Sequence, residues 1–193
     1  MMKALILNGS APGQTLLDQA QDKLIDLLKN LGWEVTAFRL RDMNLQECVG
    51  CFNCWVKTPG LCSTQDDGTE LNRQLFQSDL MTLITPIQFG GYGFLLKRAL
   101  ERTVLPNLLP SFVSFQGETH HPWRSGRKVR LMGIGSLPAQ DAESERIFDD
   151  LLKRNSMNFQ NPPHSSAVLY EGMTEDSVQL IVQDLVAQLG ARP

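Results

Sequence analysis

Apolar residues fall along this chain in two alternating rhythms. Lys3–Leu7 (KALIL) is a short, nearly continuous apolar run, as expected of a strand buried on both faces. After it, Leu17, Ala20, Leu24, Leu27, Leu28 and Leu31 recur at three- and four-residue steps, which predicts a helix ending before Gly32. The alternation then repeats. Strands are predicted at Glu34–Phe38, Leu80–Thr85, Val129–Ile134 and Ala167–Tyr170. Helices are predicted at Gly68–Gln77 and at Phe94–Leu105, with Pro106 beyond the end of the second. Asp141 is placed to cap a further helix that buries Ile147, Phe148, Leu151 and Leu152, and Thr174 to cap a last one that buries Val178, Ile181, Leu185 and Leu189. Five strand–helix pairs imply an α/β fold, a parallel sheet covered on both faces through right-handed crossovers. Two stretches break the rhythm, a cysteine-rich loop at 47–63 and an insertion at 109–127. Excursions of that length are usually functional loops or oligomer contacts.

Composition adds mainly exclusions. A chain of 193 residues is expected to form one domain, residues 1–193, with a core that needs neither disulfide nor metal for stability. A formal charge of −3 and a pI near 5.6 argue against a nucleic-acid partner. No apolar run approaches the ~18 residues of a membrane span, and the start, MMKALILNGS, is too short for a signal peptide. The expected location is the cytoplasm, where clustered cysteines point to metal or redox chemistry rather than a structural disulfide.

Ligands of an open parallel sheet bind beyond the carboxyl ends of its strands. The first such loop, NGSAPGQT (Asn8–Thr15), offers two glycines, the side chains of Ser10, Gln14 and Thr15, and the N–H groups of a helix N-terminus, which suits a phosphate. It holds no lysine, arginine or Walker pattern, which argues against nucleotide triphosphate hydrolysis. The second, TPIQFGGYG (Thr85–Gly93), has three glycines for close backbone approach, and Phe89 and Tyr92 to lie against a flat ring. The third, GIGSLPAQD (Gly133–Asp141), is glycine-rich and opens a helix.

These motifs together resemble the flavodoxin-like NAD(P)H-dependent FMN reductases, in the branch that includes the iron–sulfur flavoproteins. KALILNGS, ECVGCFNCWVKTPGLC with Asp66-Asp67 after it, SDLMTLITPIQFGGYGFLLKRALERTVLP and HHPWR carry the resemblance, from Met2 to about Tyr170. It implies a three-layer sandwich with a five-stranded parallel sheet in the order 2-1-3-4-5, helices on both faces, and FMN as cofactor. The FMN phosphate would lie on Ser10, Gly13, Gln14 and Thr15. The ring would lie against Thr85, Pro86, Ile87, Gln88, Phe89 and Gly90, closed by Gly135 and Ser136.

Cys48, Cys51, Cys54 and Cys62 form C-x₂-C-x₂-C-x₇-C and are the candidate ligands of a [4Fe–4S] cluster, with Thr58-Pro59-Gly60 as the turn that brings Cys62 back. The rival readings are zinc, which prefers two separated C-x₂-C pairs, a thiol–disulfide switch using Cys51 and Cys54, and a metal-free loop that packs Phe52 and Trp55 against another subunit. Asp66-Asp67 reads as a charge complement to the helix that follows. His120 and His121, adjacent and so pointing apart on a strand, read as surface or interface residues, and Trp33 and Trp123 as packing residues.

The expected function is an FMN-dependent NAD(P)H oxidoreductase that passes electrons to a small-molecule acceptor such as a quinone, flavin or nitroaromatic, or to an iron–sulfur centre. Hydride transfer needs no side-chain acid or base, so no catalytic residue is assigned. The alternatives are a flavodoxin-type electron carrier, an iron–sulfur flavoprotein without NAD(P)H activity, and a redox or metal sensor. A homodimer or homotetramer is expected to cover Phe52, Trp55, Phe112, Phe115 and Trp123.

Overall fold

The computed structural model describes residues 1–161, 164–188 and 190. Strands β1 (Lys3–Asn8), β2 (Glu34–Arg39) and β3 (Leu80–Gln88) alternate with helices α1 (Thr15–Asn30), α2 (Asn53–Val56) and α3 (Gly68–Gln77). A two-residue strand β4 (Gly91–Tyr92) leads into α4 (Phe94–Asn107). The hairpin β5 (Val113–Phe115) and β6 (Glu118–His120) precedes β7 (Arg130–Leu137), α5 (Ala142–Asn158), β8 (His164–Tyr170) and α6 (Glu175–Gln188).

The main sheet runs β2-β1-β3-β7-β8 with every neighbour parallel, the expected 2-1-3-4-5 order of a flavodoxin-like fold. Strand residues alternate between two cores. Ala4, Ile6, Leu80, Ile84, Met132 and Ile134 meet α1 and α6, whereas Leu5, Leu7, Met81, Leu83 and Leu131 meet α3, α4 and α5. Both faces are covered, which is why these strands read as apolar runs. The Asp141 carboxylate accepts from the Glu143 and Ser144 N–H groups, and the Thr174 hydroxyl accepts from Ser177 N–H, so both expected caps form. On α6, Val178 and Leu185 are buried as expected, Ile181 is half-buried with Val182 buried beside it, and Leu189 lies outside the described residues.

Several boundaries differ from expectation. Strand β3 continues three residues past Thr85 and turns back through Phe89-Gly90, with Ile87 opposite Tyr92. Phe89 and Gly90 both have positive φ (51° and 76°), the backbone of a type I′ hairpin turn. Helix α4 runs through Pro106 to Asn107. The 109–127 insertion is pinned by Leu109 N–H to Pro122 O and Arg124 N–H to Asn107 O. Its two histidines do point apart. His120 is buried, not on the surface, with Nδ1 at 3.2 Å from Asn158 Oδ1, and His121 lies between the rings of Trp55 and Phe112. Trp33 and Trp123 are buried, and Trp123 Nε1 donates to Phe159 O, so Trp123 offers no face for assembly.

Asp66 is also more than a helix-end charge. Its carboxylate is buried against Arg102 of α4, at 2.7 Å and 3.0 Å, and accepts from the Gln46 and Gly68 N–H groups. Arg102 donates in addition to Gln46 O and Thr64 O. Gln46 and Thr64 flank the cysteine loop, so one guanidinium clasps its two ends. Asp67 joins the same base by accepting from Asn44 N–H.

Candidate functional site

The carboxyl ends of β1, β3, β7 and β8 surround a cavity of about 540 Å³, within the range of small-molecule and cofactor sites. From the first loop come Gly13, Gln14 and Thr15, followed by Leu16 and Leu17 of α1; from the second come Pro86, Ile87 and Gln88; from the third, Ser136, Leu137 and Pro138. Glu171, Gly172 and Met173, after β8, close the remaining side. Nothing in the sequence marks this fourth loop, because YEGMT (Tyr170–Thr174) carries no glycine pair or aromatic signal beyond an ordinary turn. The first turn of α1 has no side-chain cap; Thr15 N–H donates to Gly13 O at 3.0 Å, and the N–H groups that follow it are available at one end of the cavity. Gln14 turns back on the loop instead, its Oε1 accepting from Ala11 N–H at 2.7 Å.

Other expected residues lie close by but do other work. Ser10 is buried behind the loop; its hydroxyl accepts from Arg41 Nη1 at 2.6 Å and donates to Asp18 at 3.1 Å. Thr85 is buried too, its hydroxyl accepting from Gly93 N–H and donating to Pro86 O, which ties the hairpin to the start of α4. The Phe89 ring is fully exposed and lines no wall of the cavity. Tyr92 is held away from it: its hydroxyl accepts from Asn155 Nδ2 at 2.8 Å and its ring meets Phe148 edge-on. Burial pushes that phenol up to about 12 despite the Asn155 bond.

Gly90 and Gly135 are glycine for packing. A Cβ on Gly90 would stand 2.4 Å from Ile147 Cγ2, and one on Gly135 would stand 2.5 Å from Ile87 Cδ1 and 3.1 Å from Phe148 Cε1. Both therefore let α5 and the Ile87 side chain close onto the sheet, and neither glycine lines the cavity.

Arg41 is the residue that sequence reasoning missed. It lies in a turn of 3₁₀ helix (Leu40–Asp42) just past β2, and β2 pairs with β1 so that Arg39 stands beside Asn8. Its guanidinium makes two 2.9 Å bonds to the two oxygens of Asp18. Burial works against the Asp18 charge, but the bonds from Arg41 and Ser10 outweigh it and hold the carboxyl below its usual range. Arg39 Nε stands 3.6 Å from the same carboxylate.

A second cavity, about 720 Å³ and mostly apolar, separates α4 from α5. Cys48 and Gly50 border it on one side and Gly91 and Tyr92 on another, so the cysteine loop reaches the far side of the β3–β4 hairpin. The reversing turn in that loop is present, with Leu61 N–H donating to Thr58 O and Gly60 N–H to Cys54 O. Trp55 Nε1 donates to Leu105 O, which fastens α2 to α4.

The thiols do not fit a cluster. A [4Fe–4S] site needs four sulfurs turned toward one centre. Here Cys51 is exposed and turned to Ser63, 3.7 Å from its hydroxyl, while Cys54 is buried. Among the described residues no three His, Cys, Asp or Glu side chains come together to hold a metal. The expected ligand set of Cys48, Cys51, Cys54 and Cys62 is therefore not supported. The Asn53 backbone N–H, then the Ser63 hydroxyl, hold the Cys51 thiol below its usual range, whereas burial and then the neighbouring Cys62, Cys48 and Cys51 push Cys54 up.

The comparison with known proteins fits this architecture. A family model described as NADPH-dependent FMN reductase matches residues 2–147, and the chain belongs to that family of oxidoreductases. An iron–sulfur flavoprotein of Archaeoglobus fulgidus is 29% identical over 102 residues, covering 53% of this chain and 49% of that one. The chain spans about half the length of the curated relatives it matches. Among solved structures, an FMN-dependent NADH-azoreductase from Bacillus anthracis in complex with FMN superposes with a TM-score of 0.65 at 12% identity, over 98% of this chain and 99% of that one. A putative quinone reductase from Klebsiella pneumoniae gives 0.67 at 14% identity, over 98% and 84%. At these identities the structures establish the flavodoxin-like fold.

Proposed function

We propose that the chain is an FMN-dependent NAD(P)H oxidoreductase that passes electrons to a small-molecule acceptor of the quinone, flavin or nitroaromatic kind. The observation that carries this reading is the cavity at the strand ends, with an uncapped helix N-terminus at one end and the β3 and β7 ends at the other. The donor set fits FMN. Backbone N–H groups of the first α1 turn and the exposed Thr15 hydroxyl suit the phosphate dianion. Pro86, Ile87 and Gln88, with Ser136 beside Pro86 on β7, line the part of the cavity that would take the ring. When bound, FMN supplies the hydride and electron chemistry. The chain's own residues bind and orient it: Thr85 anchors the hairpin, Gly135 admits Ile87 to the wall, and Leu137 and Pro138 narrow the space for water.

The test is binding of FMN against riboflavin, which differ by the phosphate. Thr15→Val removes a hydrogen bond to a charged group, worth about 1.5–3 kcal/mol, so FMN should weaken roughly tenfold or more and riboflavin little. Equal losses for both would remove the phosphate from this loop. NAD(P)H oxidation on adding a quinone then separates a reductase from a carrier that draws its electrons from a partner protein.

Assembly belongs to the same proposal. The rings of Phe52, Trp55, His121 and Phe112 form one continuous cluster joining the cysteine loop to the insertion, and Phe52 and Phe112 are exposed. A homodimer or homotetramer through this cluster would cover it; a sedimenting species of 21.6 kDa at micromolar concentration would refute that. Among the described residues no helix is long and apolar enough to cross a membrane. Four unpaired cysteines suit a reducing compartment, in keeping with the cytoplasm.

A further inference from the structure

We infer that Arg41 and Asp18 form a charge pair that sets how well the site accepts the flavin phosphate, Arg41 supplying from the turn after β2 the cation that the first loop lacks. The inference rests on the FMN reading above and deepens it.

The first loop contains no lysine or arginine, and none lines the cavity. The nearest cation on the loop comes from another element. Arg41 reaches across the end of β1 and contacts both ends of the turn, Ser10 on the strand side and Asp18 on the helix side. Asp18 lies in the first turn of α1, below the N–H groups that would meet a phosphate. A carboxylate there favours the bare helix end but repels an anionic ligand on the same groups. The environment of Asp18 answers that repulsion. Asn8 Nδ2 and Ser10 Oγ donate to one of its oxygens, Arg41 to both, and Arg39 stands at 3.6 Å. Arg41 is the cation with two-pronged contact, and its side chain is 17% exposed against 38% for Arg39, so it is screened less by solvent. Arg41 does not line the cavity; it is a positioning residue that holds Ser10 and cancels Asp18.

Opposite signs follow for the two partners. Arg41→Gln leaves the Asp18 carboxylate opposed only by the more exposed Arg39, and should weaken FMN roughly five- to tenfold with little change in riboflavin. Asp18→Asn frees the Arg41 charge for the phosphate and should tighten FMN roughly two- to fivefold, again without moving riboflavin. The double variant D18N/R41Q removes both charges and should bring the ratio of FMN to riboflavin affinity back to within about twofold of the starting protein.

The experiment is fluorescence titration of the full chain, stripped of flavin, with FMN and with riboflavin at one fixed ionic strength. Opposite shifts confined to FMN support the pair. An FMN affinity unchanged or weakened in D18N overturns it, as does an R41Q loss shared equally by riboflavin. If R41Q fails to fold, D18N alone decides. Thr15→Val is run beside them. If it too fails to separate the ligands, the phosphate is not in this loop and the FMN reading fails; if it separates them while D18N and R41Q do not, only the charge-pair inference fails.

Discussion

Replacing Arg102 with Met tests whether a buried ion pair holds the cysteine loop to the sheet. The side chains of Arg102 and Asp66 are 1% and 0% exposed. Methionine keeps the apolar stem of the arginine but removes its charge and its donors. The Asp66 carboxylate would keep its two backbone donors, Gln46 and Gly68, and lose its counter-charge, while Gln46 O and Thr64 O would lose a donor. Removing one partner of a buried pair costs about 3–5 kcal/mol, because the remaining charge stays out of water. A domain of ordinary stability has only about 5–15 kcal/mol in total. With a urea m-value of about 2 kcal/mol/M, the unfolding midpoint should fall by roughly 2 M.

A second variant separates loss of the pair from loss of packing. Asp66→Asn, added to Arg102→Met, removes the stranded charge and keeps an acceptor oxygen for one of the two N–H groups, which bind different oxygens of Asp66. The double variant should therefore be more stable than R102M alone, a non-additivity expected only of groups in contact. Hydrogen exchange should locate the effect, with the amides of residues 46–67 exchanging faster while those of β1 and β3 keep their protection. An R102M loss below about 1 kcal/mol, or a D66N change that adds to it, would refute the clasp.

Two further outcomes follow from the same geometry. Gly135→Ala should destabilise the fold by about 1–3 kcal/mol, since its Cβ would meet Ile87 at 2.5 Å; urea unfolding measures it, and Ile87→Val should recover part of the loss. Cys51 should be alkylated first of the four thiols and Cys54 last, scored by mass spectrometry of digests. Because the Cys51 thiol titrates below its usual range, its rate should rise at lower pH than that of a free thiol and stay high above it; a Cys51 rate profile matching a free thiol, or Cys54 reacting first, would contradict the loop geometry.

The strands of this fold were legible because burial on both faces leaves continuous apolar runs, and the strand order followed from the resemblance. The end of β3 was not. Pro86 and the glycines after it read as a turn, yet β1 has already ended opposite Ile84, so at Pro86 the strand keeps only β7 as neighbour. A residue without an N–H is tolerated there much as on a sheet edge. Of the candidate site, Gly13, Gln14, Thr15, Pro86, Ile87, Gln88 and Ser136 do meet in one cavity, because loops that follow parallel strands must open on the same side. Arg41 and Arg102 were illegible for a different reason. A charged residue in a sequence reads as solvated, and only the fold reveals that Arg102 finds Asp66 36 positions away. Periodicity reports which face a residue takes, not which distant charge faces it.

The glycines carry this argument one step further. In sequence, Gly90 and Gly135 stand in loops at the carboxyl edge, where a glycine suggests that a ligand comes close. A missing Cβ records only that some body comes close. At Gly90 that body is Ile147 of α5; at Gly135 it is Ile87, with Phe148 next nearest. Ile87 in turn lines the cavity, so Gly135 bears on the site through one intervening side chain. The same holds for Ser10 and Thr85, whose hydroxyls bind Asp18, Arg41, Gly93 and Pro86 rather than face the cavity. Ser10, Thr85, Gly90 and Gly135, four of the twelve residues expected as ligand contacts, are thus supports for those which line the wall. Substitutions at the supports should change stability and site shape together, whereas substitutions at Thr15 should change phosphate affinity with the fold intact.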